Sequence, residues 1–381
     1  MTPIYCDQAA TSFPKPKAVI EAISSFLTNT SGSPGRSAHR YAIEAGRAVF
    51  EAREGVADFF NCPSSEQVIF TANVTESLNL VLLGLLQPGD HVVTTSMEHN
   101  SVMRPLQYLK ESRNVDFTVV SCDDRGRLDP EDIQKALRPE TRLVVVNHAS
   151  NVTGTILPIE AVGEIKGDAF FLIDTAQSAG VIPIDMQGAG VDFLAFTGHK
   201  SLLGPAGIGG LCLSKDIRLN PLKRGGTGSR SESWAHPDFL PDRYESGTPN
   251  TVGIVGLDAG IRFIQEQGLE RIRGHELQLI RQMMEGLSGI KCVKIYGPRA
   301  ADEKTGIVSL NIEGKSPSEV CLILDRKYGI MTRGGLHCAP IAHKTIGTFP
   351  DGTVRLSLSY FNIMEEVDQV IRAIDEISHG K

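Results

Sequence analysis

Between about residue 65 and residue 215, short apolar runs rich in β-branched residues alternate with stretches of helical spacing. The runs QVIFTA (67–72), HVVTTS (91–96), FTVVSC (117–122), LVVVNHA (143–149), FFLID (170–174), FLAFTG (193–198) and GIGGLCLS (207–214) predict seven strands. LVVV and FFLI are apolar without interruption, as strands covered on both faces must be. Helices fit between them. One opens at Thr75, and its LNLVLLGLL (78–86) reads as buried; another is EDIQKALRP, where Ile133, Ala136 and Leu137 share a face. The pattern is that of an α/β chain with one large, mostly parallel seven-stranded sheet.

The texture changes after Gly225. RGGTGSRSESWAHPDFLPDRYESGTPNT (224–251) has no useful periodicity, and so long a loop in a compact protein is usually functional or disordered. Beyond it the spacing predicts helices at 252–267 and 270–286, strands at 291–296 and 306–312, a helix at 317–328, a strand at 353–359 and a helix at 364–378. These form a separate small α+β unit. A chain of 381 residues suits two packed units. We expect a large unit over 16–258, and a small one made of 1–15 and 259–381.

Composition narrows the function classes. With 41% hydrophobic and 22% charged residues the chain is globular, and its net charge of -7 with no basic cluster argues against a nucleic-acid partner. The longest apolar run falls far short of the roughly 20 residues that span a bilayer. The opening MTPIYCDQAATSFPKPK lacks a basic segment followed by an apolar run, so a cytoplasmic protein with no membrane association is expected. Seven cysteines without paired spacing fit a reducing compartment, and no CxxC or HExxH suggests a metal. Cys6, Cys62, Cys122, Cys212, Cys292 and Cys321 are expected as buried structural thiols.

In open α/β sheets ligands bind beyond the carboxyl ends of the strands, and polar residues collect there in this chain. TANVTES puts Val74 and Thr75 at a helix start, which suits an anion, although Thr75 reads equally well as an ordinary N-cap. SMEHNS carries His99, and NHASNVTGT carries Asn151 in a tight turn. In LIDTAQSAG, Asp174 ends a buried strand with Gln177 three residues on, and a buried carboxylate needs a partner. In FTGHKSLLGP, Lys200 follows Thr197 and His199, and a lysine at this edge is a candidate Schiff-base former. An acid and a lysine on successive strand ends, a phosphate-ready helix start and a flat histidine ring together describe a pocket for pyridoxal 5'-phosphate (PLP). Two further residues stand in the small unit. Cys338, in RGGLHCAP, follows Gly334 and Gly335, and its neighbourhood alone leaves packing, metal ligation and nucleophilic attack open. VRLSLS alternates and places Arg355 on one face with Ser357 and Ser359.

The motifs CDQAAT, SPGRSAHR, MEHNS, SNVTGT, DTAQSAG, TGHK, ESGTPN, RGGLHCAP and RLSLSYFN run in this order over nearly the whole chain. With them the sequence resembles the class V aminotransferase-fold PLP enzymes, and within these the cysteine desulfurase and selenocysteine lyase family. The resemblance implies the PLP-dependent transferase fold, fold type I. It makes Lys200 the residue that bonds the cofactor and shuttles protons, Asp174 the partner of the pyridine nitrogen and His99 the ring stacked on the cofactor. Asn151 and Gln177 would contact the ring hydroxyl and substrate side. Val74, Thr75, Thr197 and His199 would hold the phosphate, with Thr248 reaching it from the neighbouring subunit of a homodimer. Arg355 would clamp the substrate carboxylate, with Asn151 and His39 also in the substrate-binding set. Cys338 would take sulfur from L-cysteine as a persulfide, leave L-alanine and pass the sulfur to an acceptor protein or thiol. The rival within the family is a lyase acting on L-selenocysteine; a plain aminotransferase or a silent scaffold fits the residues less well. Leu336, where relatives usually carry a polar residue, and the run Ser359-Tyr360-Phe361-Asn362 depart from the family pattern.

Overall fold

The computed structural model describes residues 3–35, 37–215 and 217–380; Arg36 of the SPGRSAHR motif lies outside them. The chain opens with β1 (Ile4–Tyr5), α1 (Lys17–Asn29) and α2 (Arg40–Phe60). It then alternates β2 (Val68–Thr71), α3 (Val74–Leu85), β3 (His91–Thr95), α4 (Asn100–Arg113), β4 (Asp116–Val120), α5 (Pro130–Ala136), β5 (Thr141–Asn147) and α6 (Ile159–Ile165). Strands β6 (Phe170–Asp174), β7 (Phe193–Thr197) and β8 (Gly209–Leu213) complete a seven-stranded sheet of order β2-β8-β7-β6-β5-β3-β4. Strands β3 to β7 pair in parallel, while β8 runs antiparallel to both β7 and β2.

The uninterrupted apolar runs have a simple cause. Val144, Val146, Ile173 and Leu194 point into a core shared with Val56 and Phe60 of α2 and with α5 and α6. Their neighbours Leu143, Val145, Leu172 and Phe193 point into a second core under α3 and α4. Each strand residue is buried on one side or the other, so no polar alternation survives.

α7 (Thr251–Gln267) and α8 (Leu269–Ser288) lead into a second sheet. Its further elements are β9 (Val293–Tyr296), β10 (Ile307–Ile312), α9 (Pro317–Tyr328), β11 (Ile330–Met331), β12 (Arg333–Gly335), α10 (Pro340–Thr345), β13 (Thr353–Ser357) and α11 (Met364–Ser378). The strand order is β12-β13-β10-β9, and β1 pairs in parallel with β11. Leu279, Leu310, Leu324, Leu356 and Ile374 are fully or almost fully buried between this sheet and α8, α9 and α11. The border expected after residue 258 falls inside α7, whose Ile261 and Ile264 lie in the same core as Ile254 and Leu257. Cys292, expected as a buried thiol, is exposed in the turn before β9, where no element covers it. Up to Thr251, which opens α7, the loop 224–251 contains no helix or strand, yet it is tied down. Glu245 accepts a two-pronged bond from buried Arg53, at 2.7 and 2.8 Å, and a third from the Phe70 backbone N–H at 2.7 Å.

Lys304, whose backbone bridges to Thr155, is fully buried, and its Nζ has no hydrogen-bond partner among the described residues. Burial draws its pKa down to about 7. The unfolded chain therefore binds this proton more tightly, so stability should rise as pH climbs from about 7 towards the usual lysine range. Lys304→Met is expected to stabilise the protein at pH 7 by on the order of 3 kcal/mol and to flatten that rise. Denaturant unfolding at several pH values measures both.

Candidate active site

Parallel pairing sets the carboxyl ends of three neighbouring strands in a row. Asn147 of β5 is the register partner of Asp174 of β6, and Thr197 closes β7 beside them. A cavity of about 260 Å³ opens over these ends. The first residues of α3, Val74 and Thr75, form one wall with His99, which caps α4; the turns after the strands bring in Asn151, Gln177, His199 and Lys200. The cap of α3 is Asn73, whose side chain accepts from the Glu76 N–H at 3.0 Å. Thr75 is thus freed of the capping role its sequence allowed, and its Oγ1 lies 2.7 Å from Ser101 Oγ.

Burial governs the charges here. It lowers the Lys200 ammonium to about 8; the Asp174 carboxylate opposes this, and the cations of Arg355 and Arg333 push it further down. Burial raises the Asp174 carboxyl, against a 2.9 Å hydrogen bond from the Ala176 N–H and the attraction of Lys200. His99 is held at about 4 by burial and by Lys200, Arg333 and Arg104, so its ring is neutral at neutral pH. Its Nδ1 accepts from the Ser101 N–H at 3.1 Å, which leaves the ring proton on Nε2. Behind this wall Glu98 is fully buried and raised to about 8 by burial, with the charge of Asp174 adding to the shift. A protonated Glu98 spares the pocket a second negative charge.

β13, in the other sheet, places Arg355 against the turn that carries Asn151. The side chain is 2% exposed. Its Nη2 donates to Asp7 Oδ1 at 2.9 Å and its Nη1 to the Asn151 carbonyl at 3.1 Å, while Nε has no partner among the described residues. Arg333 is its cross-strand register partner. The loop after β12 then presents Cys338, which is exposed and follows His337 in left-handed backbone, at φ 58° and 47°. Two bonds hold this loop: the Asn100 N–H to the Cys338 carbonyl at 2.8 Å, and Asn151 Nδ2 to the His337 carbonyl at 2.7 Å. Gly335, at φ 106°, makes the approach to the loop without strain. A Cβ on Gly334 would press on the Pro317 carbonyl at 3.0 Å and on Cys321 Sγ at 3.1 Å. Cys338 lies close enough for its thiolate charge to favour the protonated form of Lys200.

The sequence profile described as Aminotransferase class-V matches residues 4–370. The chain belongs to that family. A probable cysteine desulfurase of Pyrococcus abyssi is 38% identical, covering 98% of this chain and 94% of that protein. A cysteine desulfurase of Haloferax volcanii is 33% identical over 98% of this chain and 88% of its own length. The apo structure of a cysteine desulfurase from Thermococcus onnurineus NA1 superimposes with a TM-score of 0.94 at 38% identity, covering 100% of this chain and 95% of that one.

Within this class V fold, Val74, Thr75, His99, Asn151, Asp174, Gln177, Thr197, His199 and Lys200 converge on one cavity. Cys338 borders the neighbouring cavity instead, and Arg355 meets this one only through its bond to the Asn151 carbonyl. Two further anticipated residues stand away from it in the single chain. His39 is exposed and caps α2, accepting from the Ala42 N–H at 3.3 Å. Thr248 lines a separate cavity of about 440 Å³ with Thr71 and Glu76. Other residues were not anticipated. Asn147 was within reach of the strand-end rule. Asp7 was not, because only the fold joins it to Arg355, and Arg333 reads in sequence as an ordinary exposed arginine.

In the cofactor-free protein, the Lys200 amine is expected to acylate tenfold faster per pH unit up to about 8 and then to level off; exposed lysines should keep accelerating to about 10.4. Asp174→Asn should lower that midpoint, since the carboxylate favours the ammonium. Mass-spectrometric footprinting of the Lys200 peptide against pH measures both, and a midpoint near 10 in the unaltered protein would show that Lys200 is not desolvated.

Proposed function

We propose that the chain is a PLP-dependent cysteine desulfurase acting in the cytoplasm, converting L-cysteine to L-alanine with persulfide formation on Cys338. The observation that carries this reading is an exposed thiol, pinned by its backbone in the cavity next to a pocket whose floor holds a lysine and a carboxylate on successive strand ends, the two spaces sharing the wall of Thr75, His99 and Ser101. The names borne by its class V relatives support it.

The residues present fit PLP. Thr197 Oγ1 and Asn151 Oδ1 are buried without partners among the described residues, as groups waiting on a ligand's polar atoms would be. Val74 and Thr75 open α3 on the cavity wall, where helix N–H groups suit a phosphate. When bound, PLP supplies an electron sink for charge developing on the substrate. Lys200 anchors it and moves protons at the substrate's α and β carbons, a role that suits an amine poised near neutrality. Asp174 would hold the proton on the ring nitrogen, the neutral face of His99 would stack on the ring, and Gln177 and Asn151 would meet its hydroxyl. Thr75, Thr197 and His199 would hold the phosphate.

Arg355 orients the substrate. Asp7 and the Asn151 carbonyl each take one N–H of its two Nη groups, so Nε, without a partner among the described residues, and the second N–H of each Nη are left for the amino acid carboxylate. The Cys338 thiolate then attacks the substrate sulfur. An S–S bond forms, the S–Cβ bond breaks with its electron pair on carbon, and a proton from Lys200 Nζ completes alanine.

The active form is a homodimer in this reading, with Thr248 and His39 serving the second subunit's site. Exposed Ile20 and Leu27 on α1 and Ile43 and Phe50 on α2 offer an apolar face for that contact. The border between the two units lies best at Gly268, between α7 and α8. A lyase acting on L-selenocysteine is the second reading. It is favoured by one observation: Cys338 borders the neighbouring cavity and not the one that holds Lys200.

The deciding experiment supplies the PLP-loaded protein with L-cysteine or L-selenocysteine and quantifies alanine together with sulfide or selenide. Cys338→Ala is expected to keep the cofactor's visible absorbance and to lose roughly 100-fold or more in cysteine turnover. Persistent turnover, or turnover with selenocysteine alone, would move the assignment to a lyase. Arg355→Ala is expected to raise KM for cysteine roughly 10- to 100-fold, and an unchanged KM would dismiss it as the clamp.

A further inference from the structure

A second cavity, of about 380 Å³, shares the wall of Thr75, His99 and Ser101 with the first. Beyond that wall its lining is Asn79 and Leu83 of α3, Asn100, Arg104, Pro105 and Tyr108 of α4, and Cys338. Cys338 therefore faces two ways. Its charge is felt at Lys200, while its side chain borders a space that the alanine-forming chemistry leaves unused.

The lining of this space is chemically one-sided. Leu83 and Pro105 are half-buried, Tyr108 is 54% exposed, and no carboxylate is among the lining residues. Arg104 is exposed and makes no ion pair or hydrogen bond among the described residues; Arg333 is in the same condition, and both cations act on His99. A chain with net charge -7 thus leaves two guanidiniums unmatched around its one exposed thiol in this region. The volume lies at the lower end of small-molecule sites, roughly 300–1,000 Å³.

We propose that this cavity receives the sulfur acceptor, and that the acceptor is a low-molecular-weight thiol bearing a carboxylate, with the carboxylate on Arg104 and the sulfur at Cys338. The inference rests on the desulfurase reading above. The acceptor thiolate attacks the outer sulfur of the Cys338 persulfide. A new S–S bond forms on the acceptor, the Cys338 S–S bond breaks, and the electron pair returns to Cys338 as thiolate. The acceptor leaves as a persulfide, with no net oxidation or reduction. Arg104 positions the acceptor and has no part in forming alanine.

The test holds L-cysteine saturating over the PLP-loaded protein and varies either 3-mercaptopropionate or the neutral 3-mercaptopropan-1-ol, following alanine. The carboxylate thiol is expected to show a KM roughly three- to fivefold lower, the range of a single exposed ion pair. Arg104→Gln should erase that difference while leaving the KM for the neutral thiol and the first-turnover burst of alanine unchanged, and Arg104→Lys should restore part of it. Equal KM values in the unaltered protein, as expected if a second copy of the chain covers the cavity, would overturn the proposal, as would a preference that survives Arg104→Gln. Absence of the alanine burst in the unaltered protein would instead overturn the desulfurase reading and this inference with it.

Discussion

A guanidinium buried to 2% exposure has to be matched, and matching Arg355 draws three distant stretches of chain together. Asp7 comes from the N-terminus, the Asn151 carbonyl from the turn after β5, and Arg355 itself from β13. Leaving such a charge without its partner costs about 3–5 kcal/mol, so the native fold is bound to the meeting of these segments. Their meeting point is also where the two sheets face each other. Once β13 is placed, antiparallel pairing places β12, and the loop after β12 carries Cys338 to the cavity that shares a wall with the one over the larger sheet.

The pocket's charge state follows from burial more than from pairing. Lys200 near 8, His99 near 4 and Glu98 near 8 are all displaced towards their neutral forms by loss of water, with neighbouring charges as corrections. One physical cause thereby gives a lysine that can shed its proton, a histidine that presents an uncharged ring, and an acid that does not compete with Asp174. None of these states is written in the residue types. They come from the apolar strands beneath, which are the same strands that made the fold legible.

That legibility was uneven for physical reasons. The seven central strands could be read because helices cover both their faces, and the strand-end rule then found Asp174, Asn151 and Lys200 without any contact information. Helices α1 and α2 were not anticipated, since their exposed faces carry Ile20, Leu27, Ile43 and Phe50 and this blurs the contrast between a buried and a solvated side. The expected border after residue 258 falls within helix α7, which continues through it into the larger core. Asp7 and Arg333 could not be assigned from sequence, because each acquires its meaning from a partner more than 20 positions away. His39 and Thr248 matched motifs, yet a single chain does not bring either to the cavity.

The left-handed pair His337–Cys338 is held at both carbonyls by the larger unit, through Asn151 Nδ2 and the Asn100 N–H. A loop fastened in this way loses its conformational freedom once, when the protein folds, and not again in each catalytic cycle. Ordering a backbone residue costs about 1–2 kcal/mol, and a swinging loop would forfeit that amount per residue every time the thiol approached its target. Here the sulfur has only its side-chain rotamers to search, so in the proposed reading the attack would proceed as though the nucleophile were present at very high local concentration.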